Sequence, residues 1–441
     1  MTAKIRRPLS PARYLFLMFL AAVLAGSFLL YLPVSRNEGF NLSFLDALFT
    51  AVSAVCVTGL TTVDIHQVFS PFGWTVIALL IMIGGMGVAG LIVSTALFLG
   101  FRVGLSQRII VQASYNIGSL KGTLTVLKTV VLSSAAFQLL GAAFYYRTFR
   151  ALMGPLDAVG YSLFHAISAF NNAGFDLMGS FSSISQFSDD GLYIMITSVL
   201  IIAGGLGFFV IADTIRSGFS WKHMTMHSKM VYCFTLLLLV VGAFLFLVPG
   251  DISVPDALFL SVTARTAGFS TLDIGTLRPF AVLILMTLMF IGASPGSTGG
   301  GVKTTTLLTI LLSLNPLKRT REVVLFSRSI DEQSVQKAYQ VLALGLFTVV
   351  GSTGVLLAAE QNMTASVSPE GFSPFSLLFE SVSAFATVGL STGVTPYLSG
   401  ISKGVLMLSM FIGRVGPITI ASTILRKESK IGYIRERVFI G

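Results

Sequence analysis

Side chains that cross-link, bind metals or carry charge are scarce in this chain. Its two cysteines, Cys56 and Cys233, lie 177 positions apart in apolar segments, which excludes a disulfide framework and a cysteine metal site. The four histidines, His66, His165, His223 and His227, show no ligand spacing beyond the last pair, which reads as a solvated face on an inner loop. Only 11% of the residues are charged while 54% are hydrophobic. That balance excludes a soluble domain of 441 residues and places the chain in a membrane. A small-x-small cleavage site is also missing before Arg36, so the apolar run after Lys4, Arg6 and Arg7 reads as a first span and not as a signal peptide.

What is present is apolar sequence in two lengths. Runs of about 20 residues can cross a bilayer as helices, and shorter ones cannot. Eight spans are expected at roughly 13 to 33, 72 to 99, 124 to 149, 191 to 215, 230 to 248, 279 to 313, 338 to 358 and 401 to 425, with four short re-entrant helices between them. The expected fold is an all-α polytopic membrane protein. Basic residues gather on the N-terminal tail, on alternate connections (Arg102 to Lys128, Arg216 to Lys229, Lys318 to Lys337) and on the tail from Arg426 to Arg437. By the positive-inside rule these segments and both termini are cytoplasmic, in a plasma or inner membrane. Orientation and anionic lipid headgroups account for the basic clusters, and no nucleic acid is implied. The opposite face is acidic, with Asp46, Asp64, Asp157, Asp176, Asp189 and Asp190 in its first half. Such a mouth would concentrate cations; a solvated acidic surface left by the orientation bias is the alternative.

The short runs repeat. With glycines in register they end in Val57-Thr58-Gly59, Asn172-Ala173-Gly174, Thr266-Ala267-Gly268 and Thr387-Val388-Gly389. Ten residues before each glycine stands Phe49, Phe164, Leu258 or Phe379, and six before it Ser53, Ser168 or Ser383, with Val262 departing. After intervals of 25, 30, 24 and 24 residues come breaks at Gly84, Gly204, Gly292 and Gly413. The chain therefore divides into four span-dip-span repeats, 1–112, 113–224, 225–330 and 331–441. Units of one orientation can surround one axis along the membrane normal. Four short helices would then aim their partial negative ends at that axis. The residues before and at each glycine would line it with carbonyls that replace a K⁺ ion's hydration shell. Helix C-capping by glycine accounts for any single copy, but not for four in frame.

The third inward span contains Gly292-Ala293-Ser294-Pro295-Gly296-Ser297-Thr298-Gly299-Gly300-Gly301, ahead of Val302 and Lys303, so its helix must open. Irregular backbone at this depth must be buried in protein or line a watery cavity, which makes the loop a candidate gate. Arg414 takes the place of Gly85, Gly205 and Ala293. Two readings stand side by side: an electrostatic brake below the filter, or a structural arginine capping loop carbonyls or carboxylates. Lys303 is expected to snorkel to the cytoplasmic side, and Arg265 to pair with Glu380. Gly292 to Gly296 also matches G-x-S-x-G, leaving an intramembrane serine hydrolase using Ser294 as a remote alternative, without the strand-to-helix turn or base that chemistry needs.

The four glycine copies, the run IGASPGSTGGGVKTTT and the run FIGRVGP resemble the Trk/Ktr/HKT superfamily of potassium-transporting subunits over nearly the whole length. The resemblance implies K⁺ uptake through one pore per subunit, homodimerisation, and gating by a cytosolic KtrA-like ring that carries the nucleotide. It places the filter at the glycine copies, the gate from Gly292 to Lys303 and the constriction at Arg414. No covalent cofactor is implied, only K⁺ or Na⁺ as the ion. In HKT relatives serine at the first filter glycine accompanies Na⁺ preference, so Gly59 argues for K⁺. A sodium-preferring or non-selective cation transporter is the alternative, and sodium activation belongs to the resemblance rather than to any residue singled out.

Overall fold

The structure, a computed structural model, describes residues 11–87, 90, 123–314, 323–361 and 373–416. In chain order its helices longer than four residues are α1 (Pro11–Tyr31), α2 (Phe44–Cys56), α3 (Pro71–Met86), α4 (Thr123–Leu152), α5 (Pro155–Phe170), α6 (Gly191–Leu206) and α7 (Phe208–Arg216). They continue with α8 (Met226–Leu247), α9 (Val254–Thr263), α10 (Pro279–Phe290), α11 (Thr304–Ser313), α12 (Glu332–Glu360), α13 (Pro374–Ala386) and α14 (Gly400–Val415). Three single helices among the described residues are long and apolar enough to cross a membrane, within α4 and over α8 and α12. The pair α6 and α7 adds a fourth if counted as one span. The fold is that of a mostly helical, multi-pass membrane protein. The basic segments 91–122 and 315–322 and both tails lie outside the described residues.

The short helices start where the sequence offers caps. Ser43, Ser253 and Ser373 each accept the amide three residues on, opening α2, α9 and α13, while Pro155 opens α5. Their 10 to 16 residues span about 15–24 Å, too little for a hydrocarbon core of about 30 Å. They stop inside the protein, α2 and α13 on left-handed residues Val57 and Thr387.

Each short helix is held by the spans around it. A Cβ at Gly26 of α1 would stand 2.7 Å from Leu80 of α3, one at Gly141 of α4 2.6 Å from Leu200 of α6, and one at Gly242 of α8 2.9 Å from Leu288 of α10. Absent side chains let the paired spans cross closely, as small residues do in membrane interfaces. First and last repeats also meet: Lys403 at the start of α14 pairs with Asp46 of α2 at 3.1 Å. Glu360 at the end of α12 accepts Ser399 N and both Ser399 and Ser402 hydroxyls.

Two expectations need correction. The span expected at 191 to 215 bends by 89° between α6 and α7. The bend falls at Gly207, φ +96°, where Phe208 N donates to Gly296 O at 2.9 Å, so the loop of the third repeat is wedged into the break. The all-helical expectation also misses an antiparallel hairpin, β1 (Val323–Leu325) and β2 (Arg328–Ile330), with Val323 facing Ile330. Its turn residues Phe326 and Ser327 both have positive φ, the geometry that matches strand twist in two-residue hairpins, here without the usual Asn-Gly signal.

Candidate functional site

The C-terminal ends of α2, α5, α9 and α13 bring Gly59, Gly174, Gly268 and Gly389 into one closed ring. A Cβ on Gly59 would strike Ala173 O; on Gly174, Ala267 O at 2.8 Å; on Gly268, Val388 O; on Gly389, Thr58 O. Each glycine thus backs onto the carbonyl before the next, in the order first, second, third, fourth, first. All four have φ between +68° and +96°, where side chains are strained, so the positions need glycine twice over.

Two residues before each glycine, Val57, Asn172, Thr266 and Thr387 are also left-handed, with φ from +52° to +68°. Such φ is rare outside glycine, and an outlier for β-branched side chains, so four copies mark a conformation the surroundings enforce. The amides are tied outward: Thr58 N, Ala173 N and Val388 N donate to Ser53 O, Ser168 O and Ser383 O at 2.8–2.9 Å. Gly59 N and Gly389 N reach Ser53 Oγ and Ser383 Oγ at 3.0 and 3.2 Å. In the first and fourth repeats the serine six before the glycine therefore caps the turn with its hydroxyl, whereas in the second Ser168 Oγ is buried with no partner among the described residues. In the third repeat, where Val262 replaces it, Thr263 Oγ1 instead donates to Phe269 O at 2.5 Å.

That repeat also slips by one position. α9 is capped one position nearer its ring glycine than α2 and α13 are, so Leu258 is 53% exposed and Phe259 takes the buried place that Phe49, Phe164 and Phe379 hold elsewhere. Around the ring, Thr58 Oγ1, Asn171 Oδ1, Asn172 Oδ1, Thr266 Oγ1 and Thr387 Oγ1 are buried with no hydrogen-bond partner among the described residues. Buried oxygens left this way are costly in an apolar interior and are suited to meeting a cation or its water.

Beneath the ring lies the run Gly292 to Lys303, irregular between α10 and α11. A Cβ on Gly299 would strike Thr266 Oγ1, and one on Gly300 Thr387 Oγ1. The loop is docked on the second repeat's break, Ser294 N donating to Gly205 O at 3.1 Å and Thr298 N to Gly204 O at 3.3 Å. Within the loop Ser297 Oγ donates to Ser294 O at 2.6 Å, and Gly207 packs against Pro295 O. Gly296 and Gly301 have positive φ. Break glycines serve contact as well: Gly84, Gly204 and Gly413 each lie against the carbonyl four before the ring glycine, Val55 O, Phe170 O and Phe385 O.

Arg414 ends α14 beside this loop, donating to Thr298 O and Gly84 O and approaching Gly85 O at 3.4 Å. It caps carbonyls of the loop and of the first repeat's break together. Lys303 corrects its expectation: Nζ turns back to Gly299 O at 2.6 Å and Gly300 O at 3.2 Å instead of snorkelling. The pair expected of Arg265 and Glu380 does not form. Glu380 accepts from Ser391, Thr392 and Thr395, whereas the Arg265 guanidinium reaches Thr235 O at 3.5 Å and its Nε has no partner among the described residues. Arg265 lies just past the end of α9 and Glu380 within α13, and the two point to different neighbours.

Outside the ring, a cavity of about 40 Å³ is lined by Gly59, Gly174, Asp64 and Asp176. Asp64 accepts the amides of Gln67 and Ser180, and Asp176 Oδ1 accepts Met178 N at 3.0 Å. Burial, with Asp64 nearby adding to it, pushes the Asp176 carboxyl up to about 6. Sequence reasoning missed His165, buried behind the ring. Its signal was present, since it precedes Gly174 by nine residues as Glu380 precedes Gly389.

No group of three or more His, Cys, Asp or Glu among the described residues could hold a metal ion. Ser294 is fully buried, with Thr304 Oγ1 donating to its hydroxyl. A membrane chain whose short helices converge on one ring of backbone is built as a transporter, not an enzyme. The chain belongs to the TrkH family of cation transport proteins, whose family model matches residues 19–249 and 230–430. It is 36% identical to the Ktr system potassium uptake protein B of Bacillus subtilis, over 98% of this chain and 97% of that one. It is 35% identical to the potassium/sodium uptake protein NtpJ of Enterococcus hirae, over 100% and 99%. The crystal structure of the potassium transporter TrkH from Vibrio parahaemolyticus has the same fold, with a TM-score of 0.75 at 20% identity, covering 96% of this chain and 87% of its own.

Proposed function

We propose that the chain is a potassium uptake protein in which four repeats of two spans and one dip surround a single pore. In this reading the glycine ring is the selectivity filter and Gly292 to Lys303, with Arg414, is the gate. The observation that carries it is the closed ring: four glycines at positive φ, each against the next repeat's carbonyl, with unpartnered side-chain oxygens around them. Carbonyls held this way can replace an ion's hydration shell. The repeat boundaries near 112, 224 and 330, the eight spans and the cytoplasmic termini belong to the same proposal, supported by the positions of α2, α5, α9 and α13 and by the loop charges. Relatives named as parts of a Ktr system support a further component of such a system; that it is a cytosolic nucleotide-binding ring acting on a homodimer is what the family resemblance implies. Expression in bacteria lacking their own potassium uptake tests the reading: growth rescued at low K⁺ supports it, and no rescue despite membrane insertion counts against it. A second reading, a carrier of both K⁺ and Na⁺, is favoured by the potassium/sodium name of the Enterococcus hirae relative. Growth competition by Na⁺ separates the two.

The acidic cavity outside the ring adds a pH dependence. Asp176 is charged above about pH 7 and neutral well below 6, given its raised value. Removing one negative charge beside the mouth costs a cation in the water-filled entrance about 0.5–1 kcal/mol, or roughly two- to fivefold in affinity. Apparent K⁺ affinity in transport assays should therefore fall by that factor as external pH drops from 7.5 to 5. Asp176→Asn should show the low affinity at both pH values.

A further inference from the structure

The residue nine before the ring glycine is a strap for the chain beyond it, in two opposite repeats. In the fourth repeat this is Glu380, 0% exposed, and in the second His165, 1% exposed. Both accept the backbone amide three residues after the glycine: Thr392 N donates to Glu380 Oε1 at 2.9 Å, and Leu177 N to His165 Nε2 at 3.2 Å. Glu380 Oε1 also accepts Ser391 Oγ at 2.7 Å and Thr392 Oγ1 at 3.3 Å, and Oε2 accepts Thr395 Oγ1 at 2.6 Å. Because His165 Nε2 faces a donor, its proton resides on Nδ1, which lies 3.1 Å from Tyr193 OH. The Leu177 amide thus sets the tautomer, and Tyr193 OH accepts the Nδ1 proton that goes with it.

The other two repeats are built differently. Thr50 holds the same place in the first, with no hydrogen-bond partner for its hydroxyl among the described residues. In the third, where the frame slips by one, the place falls on apolar Leu260, and Thr271, three after Gly268, is held by Asp256 Oδ1 at 2.7 Å through its hydroxyl. Repeats two and four face each other across the ring, so the two buried straps hold its outer end along one diagonal.

We propose that His165 and Glu380 are positioning residues for ion selection, fixing the outer limbs of the second and fourth ring segments and with them the width of the carbonyl ring. The inference rests on reading the ring as the filter. Neither side chain need touch an ion. An ion smaller than K⁺ is rejected only while the carbonyls are kept from closing on it, and a limb without its strap can move inward.

The test is the K⁺-to-Na⁺ flux ratio of purified protein in liposomes, with elution on size-exclusion chromatography as the check on folding. Glu380→Gln, which keeps one acceptor oxygen, and His165→Leu, which keeps none, should each lower the ratio at least threefold. His165→Gln, able to accept Leu177 N, should retain more of the ratio than His165→Leu, and Tyr193→Phe should lower it by less. Thr395→Val removes a donor and leaves the carboxylate in place, giving a milder variant should Glu380→Gln fail to fold; it too should lower the ratio. Equal losses of K⁺ and Na⁺ flux at constant ratio in all these variants would make both residues merely structural and overturn the proposal. Gly389→Ser separates the two levels: a changed ratio there with unchanged ratios in the strap variants overturns the straps alone, and no change in any variant overturns the filter as well.

Discussion

Replacing Gly389 by serine is expected to abolish most of the protein's preference for K⁺ over Na⁺. The added Cβ would strike Thr58 O of the neighbouring segment, and the backbone there has φ +94°. Holding a side chain in such a conformation costs about 1–3 kcal/mol before the clash is counted. A ring that moves to relieve this strain loses up to the same free energy of K⁺-over-Na⁺ preference, roughly one to two orders of magnitude in the ratio. Gly268→Ser should act alike, since its Cβ would strike Val388 O. Reversal potentials under opposed K⁺ and Na⁺ gradients measure the effect, and unchanged potentials in both variants would count against the ring as the filter.

The second large effect is expected at the loop. Arg414 donates to carbonyls of the loop and of the first repeat's break, and Lys303 holds Gly299 and Gly300 beneath Thr266 and Thr387. A hydrogen bond from a charged donor contributes about 1.5–3 kcal/mol. Arg414→Gln, which weakens two of them, should therefore raise basal flux about tenfold or more if the loop closes the pathway. Deleting Gly296 to Gly300 should raise it further. Both are read as tracer flux without any partner subunit. Loss of flux with an unaltered elution profile would make the loop a structural support and Arg414 its cap.

Much of this arrangement was legible in the sequence because repetition is visible there. Gly59, Gly174, Gly268 and Gly389 share a frame, and a short helix stands before each of them, as expected. Spacing along a chain does not say where a side chain points. Arg265 and Glu380 looked like a pair by charge alone, yet Glu380 is turned toward Ser391, Thr392 and Thr395 by donors within its own repeat. Lys303 looked near enough to water to snorkel, but the glycine-rich loop offers bare carbonyls within its reach. The one-residue slip that exposes Leu258 begins at the cap, for Ser253 stands one position nearer to its ring glycine than Ser43 and Ser373 do to theirs, and Phe259 keeps the buried place counted from the cap. The bend at Gly207 needs the loop of another repeat to wedge it. His165 was passed over as a lone histidine, although comparison with Glu380 in the repeat frame would have found it.

The account's central claim is a potassium-selective pathway through the glycine ring, and ion flux into liposomes carrying only this protein tests it most directly. Opposed K⁺ and Na⁺ gradients should give K⁺-selective flux, increased in Arg414→Gln and made poorly selective by Gly389→Ser. Flux in Arg414→Gln whose K⁺-to-Na⁺ ratio is indifferent to Gly389→Ser would contradict the account, because ions would then cross without passing the ring.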